Sequence, residues 1–283
     1  LSLAGAQSKT GWFLPRGKDA KKAGSGDWML PLGSAPSTHI VKIASTKHPD
    51  LPFNELICMT AASAAGLEIA RSEASDTIPG AFFSERYDRI WSNEPPSMSG
   101  FDVPLRLHQE DFCQAVGWPS YMKYETRPDS CYMALCGRLI REQSSNVIAD
   151  TQMFARQVMV DYALGNCDSH LKNHSFLYSP SWREKRLAPD IVCTTIMGYD
   201  HNLGIDIGDH RVIDGVTPED FEFMSQDLHL PLKMIKNIAA EVAEEVSAQL
   251  AELASATGDL GRVALKIQTD SVERMRVLEQ FSA

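Results

Sequence analysis

The stretch GNCDSHLKNHSF, residues 165–176, sets an aspartate, two asparagines, two histidines and a lysine directly behind the apolar run QVMVDYAL, residues 157–164. Helical spacing predicts a helix near 151–165, and Gly165 is a natural stop for it. A plain helix end followed by a polar turn, with Asn173 as a turn residue, accounts for the spacing alone. It does not account for so many hard ligands and titratable groups in one place.

Phosphoryl transfer requires a group that aligns the attacking hydroxyl, metal-binding oxygens, and contacts that hold the phosphates still. Protein kinases meet this with a catalytic-loop Asp, an Asn five residues later that holds Mg²⁺, and a second metal-binding Asp further on. Asp168 and Asn173 have that separation, and Asp190 follows in LAPDIVCT (187–194), after a hairpin predicted from HSFLYS (174–179) and REKRLAP (183–189). Hard oxygen ligands of this kind suit Mg²⁺ completed by phosphate oxygens. A metal-dependent hydrolase is a rival reading, because Asp168, His170 and His174 form D-x-H-x₃-H. It lacks the glutamate base of an H-E-x-x-H site.

Upstream, GWFLP (11–15), DWMLPL (27–32), THIVKI (38–43) and AFFSERY (81–87) read as strands, and KDAKKAGSGD (18–27) reads as a mobile loop tip. PFNELICMTAASAAGL (52–67) has helical spacing, opened by Pro52 and closed by Gly66. Lys42 ends a β-branched strand, where kinases place the lysine that meets the α- and β-phosphates. Glu55, in the next helix, is positioned to pair with it. LSLAGAQSKT (1–10) is rich in small residues, which allows backbone to approach phosphate closely. WSNEPPSMSGFDVP (91–104) marks a composition shift; we place a β-rich lobe at 1–89 and a helical lobe at 90–283. Helices are predicted near 108–117, 128–142, 151–165, 218–227, 231–256 and 259–280.

At 283 residues and 43% hydrophobic content the chain can fill a real core. No run approaches 18 apolar residues, so no membrane span is predicted. Leu1 opens without an initiator Met, as in a trimmed or truncated chain. The six cysteines are scattered without a CxxC pair, which suits reduced packing thiols and a cytoplasmic location. A net charge of −10 argues against a broad nucleic-acid surface, so any DNA contact is expected only indirectly, through a partner.

Taken in order, SLAGAQSKT, THIVKI, NE, ERYDR, RLHQEDFCQAVGWPSYMKYE, GNCDSHLKNHSF and LAPDIVCT closely resemble the HipA-like serine/threonine kinases, the toxins of bacterial toxin–antitoxin systems, from Ser2 to about Thr195. The resemblance implies an α+β fold of two lobes, related to the phosphoinositide-kinase-like group, with a small β-rich N-lobe and a mostly helical C-lobe. It implies ATP and Mg²⁺ as cofactors and a protein as substrate, an aminoacyl-tRNA synthetase being the expected kind. By this match Asp168 is the catalytic aspartate, Asn173 and Asp190 hold metal, and His170 and Lys172 lie in the catalytic motif, Lys172 steadying the transferring phosphate. Lys42 contacts phosphate. Glu85, Arg86, Tyr87 and Asp88 form the hinge around adenine and ribose. Ser2, Ala4, Gly5, Ala6 and Gln7 belong to the phosphate loop, with Ser2 as the autophosphorylation site. Pro189 abuts Asp190, closer than the family's usual spacing. Full-length toxins also carry a further N-terminal β-rich subdomain, here either removed or supplied as a separate small protein. A helix-turn-helix antitoxin is the implied partner. The alternative is a catalytically silent, kinase-shaped module that binds such an antitoxin and aids operator repression.

Overall fold

The computed structural model describes residues 9–44, 49–125, 131–182, 185–188 and 193–283. Ser2, Ala4, Gly5, Ala6, Gln7 and Asp190 lie outside the described residues. The chain divides into two compact units, Leu1–Leu56 with Ala70–His108, and Ile57–Ile69 with Gln109–Ala283.

In the first unit, β1 (Lys9–Trp12), β2 (His39–Ile43), β3 (Ser72–Ala74) and β4 (Ala81–Glu85) build one antiparallel sheet in the order β1-β2-β4-β3. Alternation in HIVKI turns Val41 inward, where Leu14, Trp28 and Phe83 pack on it. Trp28 stacks on Phe83 with ring centroids 4.4 Å apart. Ala20 and Ala23 enter the same core, so the segment expected to be a mobile tip is packed down. Helix α1 (Leu51–Ala64) follows β2 and ends before Gly66, whose φ of +83° suits a residue without a Cβ. Around the composition shift at 91–104, β5 (Arg89–Ile90), β6 (Ser97–Met98), β7 (Phe101–Asp102) and β8 (Leu105–Arg106) form nested hairpins, β5 pairing β8 and β6 pairing β7.

The second unit begins its own sheet with β9 (Gln109–Asp111). The helix expected at 108–117 shrinks to α2 (Phe112–Ala115), capped by Asp111, whose carboxylate accepts the Gln114 N–H at 2.9 Å. Helices α3 (Tyr132–Gln143) and α4 (Val147–Leu164) follow; α4 starts earlier than its apolar pattern because Asn146 caps it. Strands β10 (Ser175–Tyr178) and β11 (Lys185–Ala188) form the expected hairpin, and β9 adds to its other side, giving the order β11-β10-β9. A hairpin of β12 (Asn202–Ile207) and β13 (His210–Val212) was not visible in the sequence. Helices α5 (Pro218–Leu228), α6 (Leu232–Ala254) and α7 (Gly258–Ser282) complete the unit. Along α6, Ile235, Ile238, Val242, Val246 and Leu250 form a buried stripe, and Leu253 at its end is half-buried. Five cysteines are buried, as packing thiols should be; Cys131 is exposed and instead caps α3 by accepting the Ala134 N–H. Among the described residues no helix is long and apolar enough to cross a membrane.

Candidate functional site

Helix α4 stops at Gly165 because the chain turns left-handed there, at φ +74°. A Cβ on Gly165 would stand 2.2 Å from Thr195 Oγ1 and 2.8 Å from Arg274 Nη2, so the turn also needs the space. The Gly165 carbonyl accepts the N–H groups of Thr194 (3.0 Å) and Thr195 (3.1 Å), and Thr194 Oγ1 accepts the Cys167 N–H at 2.7 Å. The segment beyond the LAPD motif is thereby stitched to the start of the loop.

Asp161, buried in the last turns of α4, holds the loop from beneath. Its Oδ1 accepts Asn166 Nδ2 at 2.7 Å and its Oδ2 accepts Ser169 Oγ at 2.6 Å. Asn166 Oδ1 in turn accepts the Asp168 N–H at 3.2 Å. Gly204 of β12 lies so near the Ser169 backbone that a Cβ would come within 2.7 Å of it. On the other side the Leu171 N–H donates to the Lys123 carbonyl at 3.1 Å, and the Phe112 N–H donates to the carbonyls of Leu171 and His174. The loop is over-determined, so the side chains on it are held in fixed relation.

Asp168 emerges from this frame with its side chain 48% exposed. Tyr124 Oη donates to its Oδ1 at 2.6 Å, and His170 Nε2 lies 3.7 Å from the same oxygen. Burial, with Asp168 adding to it, pushes the Tyr124 phenol well up, so it remains a donor. Asn173 Nδ2 donates to the Asp168 carbonyl at 2.5 Å, an orientation that leaves Oδ1 as the atom able to meet a cation. Lys172 Nζ donates to Asp111 Oδ2 at 2.6 Å. His174 is fully buried, with Phe112 and Phe154 ring centroids 5.8 and 5.1 Å away, and its Nε2 meets Ser169 Oγ at 3.2 Å. It is a core residue rather than a partner for Asp168 in a D-x-H-x₃-H site. Among the described residues no cluster of three His, Cys, Asp or Glu side chains forms that could hold a metal.

In the first unit Lys42 is ion-paired to Glu55, whose side chain is only 6% exposed. In the segment expected to form the hinge, Glu85 is exposed and Tyr87 half-buried. Arg86 grips the Asp88 carboxylate with two bonds of 2.9 and 2.8 Å, and Arg89 adds a third of 2.7 Å. Burial opposes ionisation of Asp88, but the Arg86 and Arg89 guanidiniums outweigh it and hold the pKa below the usual range. The structure thus groups Asp168, His170, Lys172 and Asn173 on one loop, and Lys42 with Glu55. Tyr124, Lys123, Asp111 and Asp161 were not singled out from the sequence. Three of them lie within the quoted segment RLHQEDFCQAVGWPSYMKYE, and only the chain's return to the loop reveals them.

Residues 1–250 match the family model described as the HipA-like C-terminal domain. The chain is 27% identical over 262 residues to the protein named putative kinase Y4mE of Sinorhizobium fredii, covering 92% of this chain and 58% of that one. It is 27% identical over 270 residues to the serine/threonine-protein kinase toxin HipA of Shewanella oneidensis, covering 89% of this chain and 57% of that one. The chain therefore spans a little over half the length of the curated relatives it matches. Among solved structures it superposes on the Shewanella oneidensis HipA, HipB and operator DNA complex with a TM-score of 0.77 at 23% identity, over 100% of this chain and 67% of that one. The Helicobacter pylori proinflammatory kinase CtkA gives 0.52 at 12% identity, over 96% and 95%. The fold is α+β and kinase-like, as the sequence resemblance implied.

Proposed function

The chain belongs to the HipA-like C-terminal domain family, and on that premise we propose that it is an ATP-dependent serine/threonine protein kinase, the toxin of a toxin–antitoxin module. The observation that carries this reading is the braced loop, which presents Asp168 half-exposed and the Asn173 amide oxygen five residues on. The donor chemistry fits: a carboxylate and an amide oxygen are hard ligands of the kind Mg²⁺ takes beside phosphate oxygens. Asn173 and Asp190 would hold the metal.

Bound Mg²⁺ would neutralise charge on the phosphates that are parted. Asp168 accepts the proton of the attacking serine hydroxyl as its oxygen bonds to the γ-phosphorus and the bond to the β-phosphate oxygen breaks, the electron pair leaving with ADP. Lys42, oriented by Glu55, meets the α- and β-phosphates. Residues Glu85 to Asp88 offer backbone groups to adenine, while the Arg86–Asp88 pairing stiffens the segment. By family likeness Ser2 to Gln7 are the phosphate loop, and Ser2 is the self-modification site. The solved relative carries HipB and operator DNA; we assign this chain a DNA-binding antitoxin partner, which suits a net charge of −10 that leaves DNA contact to that partner. The substrate is a cytoplasmic protein, an aminoacyl-tRNA synthetase by family likeness.

The test is incubation of the chain with labelled ATP, Mg²⁺ and a cell lysate, beside Asp168→Asn. Wild type should label a discrete protein and, on longer incubation, Ser2. Asp168→Asn should bind ATP and label nothing. Equal labelling by the two proteins would remove the assignment.

A further inference from the structure

Two lysines approach the catalytic loop, and their charges are in different states. Lys172, on the loop itself, is 2.6 Å from Asp111 Oδ2, and that carboxylate also caps α2, so the ammonium is neutralised by a fixed, mostly buried anion. Lys123 arrives from outside the loop, held by the Leu171 N–H on its carbonyl. Its Nζ is 2.8 Å from His170 Nε2 and 4.7 Å from the centre of the Tyr124 ring. An ammonium only donates, so Nε2 must accept, and the imidazole is neutral with its proton on Nδ1. Among the described residues no carboxylate lies within ion-pair distance of Lys123 Nζ. His170 and Tyr124 therefore position a full positive charge without cancelling it.

Resting on the kinase reading above, we infer that Lys123 is a catalytic residue: it contacts the non-bridging oxygens of the transferring γ-phosphoryl group, the role that sequence likeness gave to Lys172. A serine oxygen within hydrogen-bond reach of Asp168, with phosphorus about 3–3.5 Å beyond it, puts the transferring group roughly 6 Å from the Asp168 carboxylate. Lys123 Nζ comes within reach of that shell, because His170 Nε2 lies between the two groups, 2.8 Å from Nζ and 3.7 Å from Asp168 Oδ1. A preorganised cation aimed at charge that develops in transfer lowers the barrier, because no reorganisation is needed at the moment of reaction. Lys172 in this arrangement ties the loop to β9.

The experiment uses the full chain and its variants Lys123→Met, Lys123→Arg and Lys172→Met. Calorimetry measures Mg²⁺-dependent binding of ADP and of the non-hydrolysable imido analogue of ATP, and phosphorylation is followed in parallel. Wild type should prefer the analogue. Lys123→Met should lose about tenfold on the analogue and nothing on ADP, with turnover falling roughly 100-fold. Lys123→Arg should keep the preference, which guards against a folding defect in the Met variant, and Lys172→Met should keep it too. A wild-type ratio of the two affinities in Lys123→Met, or its loss in Lys172→Met alone, overturns the assignment while leaving the kinase reading intact. Failure of wild type to bind either nucleotide overturns the kinase reading and this assignment with it.

Discussion

Tyr124 reaches across 44 residues of sequence to donate a 2.6 Å hydrogen bond to Oδ1 of Asp168. A carboxylate offers about four acceptor positions, so one phenol leaves room for a substrate hydroxyl and serves to anchor the group. Tyr124→Phe should lower kcat by about 3- to 10-fold, equivalent to roughly 1 kcal/mol, with nucleotide affinity unchanged. Steady-state kinetics decides; a faster variant would mean that the phenol obstructs Asp168.

Lys42 and Glu55 form a buried pair with side chains 13% and 6% exposed. Lys42→Met removes the cation beside the buried Glu55 carboxylate and should cost about 3 kcal/mol of stability. Adding Glu55→Gln should restore most of that in urea unfolding, while nucleotide binding stays lost in both variants. Recovery of binding in the double variant would separate Lys42 from the phosphates.

Gly165→Ala combines a left-handed backbone with contacts of 2.2 and 2.8 Å to Thr195 and Arg274. It should destabilise by about 2–4 kcal/mol, read from the urea midpoint at unchanged slope. A near-neutral result would show that the Thr195 and Arg274 side chains move aside freely.

Burial holds the His174 pKa down at about 3, with His170 adding to the effect, against about 6.5 in an unfolded chain. The unfolded state therefore takes up a proton below pH 6.5 that the folded state refuses until about pH 3. Stability from this group is complete above pH 6.5 and drains away as pH falls through that window. Buried Glu125, raised to about 7, acts with the opposite sign between pH 7 and about 4.5, so the effect is read as a difference between proteins. Relative to His174→Phe, wild type should lose about 1.4 kcal/mol per pH unit between pH 6 and 4.5. Parallel pH profiles of the two proteins would show that His174 titrates normally.

The loop was legible because its signals are local: Gly165 ends a helix, and the Asp168–Asn173 interval is fixed by five residues of chain. Lys42 and Glu55 were legible as a strand end and the helix after it. The hairpins β5 to β8 were hidden by the Pro, Ser and Gly of residues 91–104, which read only as a composition shift until cross-strand partners are known. Gln109–Asp111 became a strand because β10 lies beside it, an influence from 66 residues away that no local propensity carries. Lys123 and Tyr124 follow no periodic pattern, and their meaning appears only when the chain returns to place the loop against them.

Arg274 of α7 donates to the Ala163 carbonyl at 3.3 Å and crowds Gly165, while its neighbour Asp270 accepts Thr195 Oγ1 at 2.6 Å. The clasp on the loop is thus synthesised well after the loop itself. Asp168 and Arg274 are separated by roughly a hundred residues, so on a translating ribosome the loop waits on the order of ten seconds for its brace. During that interval the nascent chain displays Asp168 and Asn173 without the support that aligns them, so the loop reaches its final geometry only after α7 has emerged.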